Sequence, residues 1–104
     1  MRDPLPIRLG GLAANLSRVK SFALHDANQA AVASLLEESK FFIEWTAGEA
    51  ETSTAAELVE LQVQLALWGR AWDEIWRDGA RRQEVVRISG QWSQRVLELS
   101  GLLG

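Results

Sequence analysis

The sequence predicts an all-α protein, an up-down-up-down antiparallel four-helix bundle. Four stretches repeat apolar residues every three or four positions, which places those residues on one face of a helix. No stretch alternates polar and apolar residues as a half-buried strand would. Short breaks containing aspartate or glycine separate the four stretches, and short connections favour antiparallel neighbours. We therefore expect a single domain over residues 1–104, with helices at about 7–24, 27–46, 54–77 and 80–101.

The first helix follows a short arm, residues 1–6, in which Pro4 and Pro6 disfavour a preceding helix. Its apolar face is spaced by three and four: Leu5, Leu9, Leu12, Leu16, Val19 and Ala23. The start is open, because Gly10 and Gly11 each cost up to about 1 kcal/mol inside a helix. Either the helix begins after the two glycines, or they let another helix approach closely.

The second helix has Asp26 as its expected N-cap, since a carboxylate there can accept from an amide of the first turn. Its buried face is wide: Val32, Leu35, Leu36, Ser39, Phe42 and Ile43. Gly48 is typical of a residue that stops a helix at its C-terminal end, so we expect the helix to finish at 45–47.

The third helix carries the strongest pattern in the chain, a single stripe: Leu58, Leu61, Leu65, Trp68, Trp72 and Ile75. Thr54 followed by Glu57 fits a capping box at its start. Asp78-Gly79 should end it, because this dipeptide is a strong helix breaker. The rival interpretation is one long helix through Gly79.

The fourth helix faces inward with Val85, Ile88, Trp92, Val96, Leu99 and Leu103. If the preceding turn centres on Gly79, Gly69 and Gly90 lie at the same height on the two helices. We expect each glycine to make room for an indole on the other helix, Trp92 or Trp68.

Composition excludes several functions. Cysteine is absent, which removes disulfides and thiolate metal sites and is compatible with the cytoplasm. A net charge of -3 disfavours a non-specific nucleic-acid binder. No apolar run approaches the roughly 20 residues of a membrane helix, and the prolines near the start do not fit a signal peptide. The common catalytic and metal motifs are missing, so we expect no catalytic residue, metal or cofactor.

Five tryptophans are unusual in a chain this short. We expect Trp68 and Trp72 in the core, and Trp45 and Trp76 half-exposed beside the second and third loops. Exposed tryptophan is enriched at protein interfaces. Trp45 or Trp76 therefore either contacts another chain or covers the end of the bundle locally.

Charge is distributed unevenly between the two expected ends. Glutamates gather at the second loop: Glu44, Glu49, Glu51 and Glu57. Cations and acids interleave at the other end: Lys20, His25, Arg77, Arg81 and Arg82 with Asp26, Asp73, Glu74 and Asp78. This end is either a solvated surface with local ion pairs or a docking site, with Arg77, Arg81 and Arg82 as candidates for a partner or a small anion. Arg81 and Arg82 oppose the helix dipole, so we expect Asp78 and Glu74 to compensate them.

A two-residue motif and three longer segments of the sequence each resemble a known protein family. Arg18 precedes His25 by six intervening residues, which resembles the Arg-x(4–6)-His signature of HEPN-type ribonucleases. That family implies RNA cleavage across a dimer cleft, although Val19 stands where it usually has a polar residue. RLGGLAANLSRVKSF, SLLEESKFFIEW and QWSQRVLELSGLL together resemble a small family of uncharacterised cyanobacterial helical proteins, a resemblance that implies no activity.

The sequence thus favours a non-enzymatic helical protein that acts through protein–protein contacts, as a homodimer. The candidate contact residues are Trp45, Trp76, Arg77, Arg81 and Arg82. The alternative is a HEPN-like ribonuclease that uses Arg18 and His25. Neither hypothesis names a partner or a small-molecule ligand.

Overall fold

Five α-helices make up the part of the chain that the computed structural model describes, residues 4–25 and 29–101. They are α1 (Leu5–Phe22), α2 (Gln29–Ala47), α3 (Thr52–Arg70), α4 (Trp72–Arg77) and α5 (Gly79–Ser100). No strand occurs within these residues, so the predicted all-α class is confirmed. The Cα radius of gyration is 13.3 Å, as expected for a compact chain of this length.

Helix α1 starts earlier than predicted and contains both glycines. Pro4 precedes it and Pro6 lies in its first turn, where a missing amide hydrogen costs nothing. Of the two alternatives for the glycine pair, close approach is the correct one at Gly11. A Cβ there would lie 3.0 Å from two ring carbons of Phe42 on α2, so only glycine admits that ring without a shift.

The connection from α2 to α3 differs in part from the prediction. Helix α2 ends at Ala47 and Gly48 follows it, as expected. Helix α3 begins at Thr52, and its N-cap is Glu51, which makes no side-chain capping bond. The predicted capping box of Thr54 and Glu57 is therefore wrong. The predicted cap Asp26 lies outside the described residues.

The predicted third helix is two helices, α3 and α4. Ala71 between them has φ -111° and ψ 19°, outside the α-helical region, so the continuous helix over 54–77 is wrong. The stripe nevertheless stays buried on both sides of the break, as expected: Leu58, Leu61, Leu65, Trp68, Trp72 and Ile75. Tertiary burial thus follows the apolar spacing even where the backbone leaves the helix.

Asp78 separates α4 from α5. Its backbone is extended, and its carboxylate accepts hydrogen bonds from the amides of Ala80 and Arg81 at 3.0 and 3.2 Å. Asp78 is thereby the N-cap of α5. The rival prediction of one helix running through Gly79 is wrong.

The buried apolar side chains of all five helices form one cluster. Helix α1 packs most extensively against α5 and α2, and α3 packs mainly against α2. On α5, Val85 and Val96 are buried, whereas Ile88, Trp92 and Leu99 are half-buried. The predicted inward residue Leu103 lies outside the described residues. None of the described helices is both long and apolar enough to cross a membrane.

The predicted pairing of glycines with indoles is wrong at both positions. A Cβ on Gly90 would meet the aliphatic part of Lys20 at 3.3 Å, which means that α1, and not α3, lies against this glycine. A Cβ on Gly69 would meet no atom within 4 Å. Gly69 is therefore not required by packing among the described residues.

Candidate functional site

Arg8 is buried at the junction of α1 and α2. Its side chain is 3% exposed, and its Nη1 donates a hydrogen bond to the carbonyl oxygen of Trp45 at 2.8 Å. Its Nη2 forms an ion pair with the carboxylate of Glu49, and its Cζ lies 5.0 Å from the centroid of the Trp45 ring. We call these three residues the Arg8–Trp45 cluster. It fixes the start of α1 to the end of α2 and holds one face of the Trp45 indole.

Physical chemistry explains why an arginine can be buried here. The last carbonyls of a helix have no partner within that helix, and a cation near a helix C-terminus interacts favourably with the helix dipole. A guanidinium offers several donors in one plane, so it can serve a carbonyl and a carboxylate together. The sequence prediction missed Arg8. The available signal was its position between Leu5 and Leu12, three before and four after it, on the apolar face of α1.

An open apolar groove lies on the outer side of α2, next to this cluster. Its volume is about 340 Å³, and four side chains line it: Glu38, Phe41, Phe42 and Trp45. Phe41 is 66% exposed and Trp45 is 43% exposed. The rings of Phe42 and Trp45 lie 6.2 Å apart, and Phe42 packs against Gly11. Because Arg8 and Gly11 hold two of its aromatic rings, the groove is already formed in the isolated chain.

A second apolar surface lies on the outer side of α3. Val59, Val63 and Leu67 are 50%, 55% and 56% exposed and are spaced by four residues, so they form one row. This row lies opposite the buried stripe of Leu58, Leu61 and Leu65. A helix with two opposite apolar faces is usually covered on both sides. The sequence prediction missed this row, although three aliphatic residues spaced by four were the signal.

Trp76 belongs to a different cluster, formed by α4, α5 and the end of α1. The Arg82 guanidinium lies 4.0 Å from the Trp76 ring centroid and donates a hydrogen bond to the carbonyl of Ala23 at 2.9 Å. The Trp76 ring is half-buried, 5.8 Å from that of Trp72. Trp72 is buried and its Nε1 donates to the carbonyl of Gln29 at 3.0 Å. These contacts favour the interpretation of Trp76 as a local cover, whereas the exposure of Trp45 favours contact with another chain.

The remaining candidate arginines lie around the start of α5. Arg81 Nη1 is 3.8 Å from a carboxylate oxygen of Glu74, and Asp78 caps the helix, so both expected compensating acids are present. Arg77 is exposed at the end of α4. Since Arg82 is committed to Ala23 and Trp76, this arrangement favours local ion pairs over an anion site.

One charged pair ties α3 to α5. Arg95 donates from Nε and Nη2 to the two carboxylate oxygens of Glu57, at 2.6 and 2.8 Å. These hydrogen bonds and the charge of Arg95 lower the pKa of Glu57 below its ordinary value, against a smaller opposing effect of burial. The same contact raises the pKa of Arg95. The pair replaces the capping role predicted for Glu57.

Arg18 and His25 are both exposed. Arg18 Nη1 donates a hydrogen bond to Oδ1 of Asn15, one turn earlier on α1, at 3.0 Å. His25 follows α1 in a turn in which its amide donates to the carbonyl of Phe22. Among the described residues, no group of three His, Asp or Glu side chains is placed to hold a metal ion.

Comparison with known proteins gives no match to a family model, to a curated protein or to a solved structure. The resemblances to cyanobacterial helical proteins and to HEPN-type ribonucleases therefore stay predictions.

Proposed function

We propose that the chain is a non-enzymatic helical protein that acts through protein–protein contacts, as a homodimer. We also propose that its fold is an antiparallel four-helix bundle. In this arrangement α3 and α4 together form one broken helix. Two contacts support the antiparallel arrangement. The ion pair of Arg8 with Glu49 joins the start of α1 to the end of α2. The hydrogen bond from Arg82 to Ala23 joins the start of α5 to the end of α1.

The groove on α2 is the observation that carries the proposed contact with a partner protein. Aromatic residues are enriched at the centres of interfaces, where they supply most of the binding energy. A groove whose rings are already held costs less ordering on binding than a mobile surface does. Phe41 and Trp45 therefore suit the capture of an apolar side chain from a partner protein.

The charge around the groove favours a basic partner segment. Glu38 lines the groove and makes no ion pair with any described residue, whereas the neighbouring Glu37 is paired with Lys40 at 3.3 Å. The whole chain carries a net charge of -3. A partner segment with an apolar side chain flanked by lysine or arginine fits both features, because opposite charges across an interface favour encounter and register.

The matched variants Phe41→Ser and Leu24→Ser test this function. Both residues are exposed, and Leu24 lies in the turn after α1, away from the groove. Tagged wild-type and variant chains would be purified from the native cell, and co-purifying proteins quantified by mass spectrometry. We expect wild type and Leu24→Ser to recover equal amounts of a partner with a basic-flanked apolar segment. We expect Phe41→Ser to recover at least tenfold less of it. Equal recovery with Phe41→Ser would refute the groove as the contact surface.

The ribonuclease alternative has only the exposure of Arg18 and His25 in its support. It requires that purified protein cleaves RNA and that His25→Ala abolishes the cleavage while leaving thermal unfolding unchanged. Cleavage that survives this substitution would remove the hypothesis.

A further inference from the structure

We infer that the outer face of α3 is the self-association surface, on which a second copy of this chain packs its own α3 antiparallel, across a twofold axis near Val63. This inference rests on the homodimer of the proposed function and names its interface. The aromatic groove on α2 is left free for a different partner.

The shape of the surface suits a helix. Val59, Val63 and Leu67 form a ridge of side chains spaced by four residues, and such a ridge packs against rows spaced by three on a facing helix at about 20°, which keeps the two helices nearly aligned. Ala56 and Arg70 extend the row at its two ends, both exposed. From Ala56 to Arg70 the row is about 21 Å long, which is four turns of helix.

Charge selects an antiparallel partner. Glu60 lies beside the N-terminal half of the row and Arg70 at its C-terminal end, and neither makes an ion pair with any described residue. A parallel second copy would set the two Glu60 carboxylates side by side and the two Arg70 guanidinium groups likewise. An antiparallel copy sets each Glu60 near the Arg70 of the other chain.

The twofold axis near Val63 follows from the length of the row. With the axis at Val63, a residue a given number of positions before 63 faces the residue the same number of positions after 63 in the second copy. Val59 therefore faces Leu67 of the second copy, and Ala56 faces Arg70 of the second copy. That arginine lies one turn, about 6 Å along the axis, from Glu60. The small side chain of Ala56 leaves space for Arg70 of the second copy to reach Glu60. The contact is self-complementary, as a twofold dimer requires.

The predicted interface is small. One pair of four-turn helices falls in the class of weak, transient contacts, below the area that permanent complexes bury. We therefore expect monomer and dimer in equilibrium, with the dimer favoured at high protein concentration.

Single cysteine variants test the geometry, because the chain contains no cysteine of its own. Val63→Cys places two thiols at the twofold axis, and mild oxidation should give a disulfide-linked dimer on a non-reducing gel. Val59→Cys alone should not, since its two thiols would be displaced by about 12 Å along the helices, beyond disulfide reach. Mixing Val59→Cys protein with Leu67→Cys protein should restore the crosslink. Leu24→Cys is the matched control for random collision of exposed thiols.

A charge exchange tests orientation independently of the thiols. In the Val63→Cys background, Arg70→Glu should lower the yield of crosslinked dimer by about fivefold, because two symmetric surface ion pairs are lost. Glu60→Arg combined with Arg70→Glu should return the yield to its starting level. Thermal unfolding of each variant checks that the fold is retained.

Two outcomes overturn the inference. Val59→Cys that crosslinks as readily as Val63→Cys indicates parallel pairing, and Val63→Cys that crosslinks no faster than Leu24→Cys excludes the surface. Light scattering on the unoxidised samples separates this failure from that of the proposed function. A dimer mass without the Val63 crosslink moves the homodimer to another surface, whereas a monomer mass rejects the homodimer itself.

Discussion

Replacing Arg8 by methionine should destabilise the fold far more than replacing its ion-pair partner. Methionine keeps much of the unbranched length of arginine and removes its charge and donors. In Arg8→Met the carbonyl of Trp45 loses a charge-assisted hydrogen bond of 2.8 Å, worth about 1.5–3 kcal/mol. The contact with the Trp45 ring adds about 0.5–1 kcal/mol, and the ion pair to the more exposed Glu49 adds up to about 1 kcal/mol.

One opposing effect reduces this loss. Nε of Arg8 is buried without a hydrogen-bond partner among the described residues, and its removal returns about 1 kcal/mol. Together these contributions give an expected loss of about 1–4 kcal/mol, centred on about 2.5 kcal/mol, in the free energy of unfolding for Arg8→Met. Glu49→Gln leaves the carbonyl bond and the ring contact in place, so it should cost less than about 1 kcal/mol.

Urea unfolding followed by circular dichroism measures both variants, and the midpoint of thermal unfolding provides a second readout. A loss of about 2.5 kcal/mol corresponds to a midpoint of thermal unfolding lowered by roughly 10–20 °C in a domain of this size. A double variant gives the coupling between the two residues. The reasoning fails if Glu49→Gln is as damaging as Arg8→Met. It also fails if Arg8→Met is as stable as wild type, which would mean that burial of the cation costs as much as its contacts return.

Three further predictions concern glycines and acid. Gly69→Ala should raise the free energy of unfolding by about 0.5–1 kcal/mol, since a helical glycine gains a methyl group with no neighbour within 4 Å. Gly11→Ala should be at least about 1 kcal/mol less stable than Gly69→Ala, because its methyl group would press on the ring of Phe42; equal stability would contradict that contact. Wild type should have a higher free energy of unfolding than Glu57→Gln. This difference should be full above the ordinary carboxyl pKa of 4.5 and should disappear as the pH falls through the lowered pKa of Glu57. Urea unfolding of both proteins from pH 7 to pH 2 tests this prediction. A difference in the free energy of unfolding that grows in acid would contradict the lowered pKa of Glu57.

Apolar spacing located the core because burial acts on whole faces of a helix. The stripe of Leu58, Leu61 and Leu65 is buried as predicted, and the face of α1 is buried around Leu12 and Leu16. The break at Ala71 was not predictable, because alanine is the best helix former and no proline stands nearby. Gly69 weakens this region but is itself helical.

The candidate site was less accessible to sequence reasoning. The place of Trp45 beside a loop predicts its exposure, whereas the burial of Arg8 is unexpected because charged residues are rarely buried. Its burial depends on the carbonyl of Trp45 and on Glu49, which are near Arg8 in space and far from it in the chain. The row of Val59, Val63 and Leu67 was present in the sequence, but the stronger stripe on the opposite face of α3 concealed it.

Sedimentation equilibrium of the unmodified chain tests the central claim, that the chain forms a homodimer through the exposed apolar face of α3, most directly. We expect the weight-average mass to rise with concentration from 11.6 kDa towards twice that value, and Val63→Glu to hold it at the monomer. A mass of 11.6 kDa for wild type at every concentration would contradict the account, and so would a dimer that Val63→Glu leaves intact.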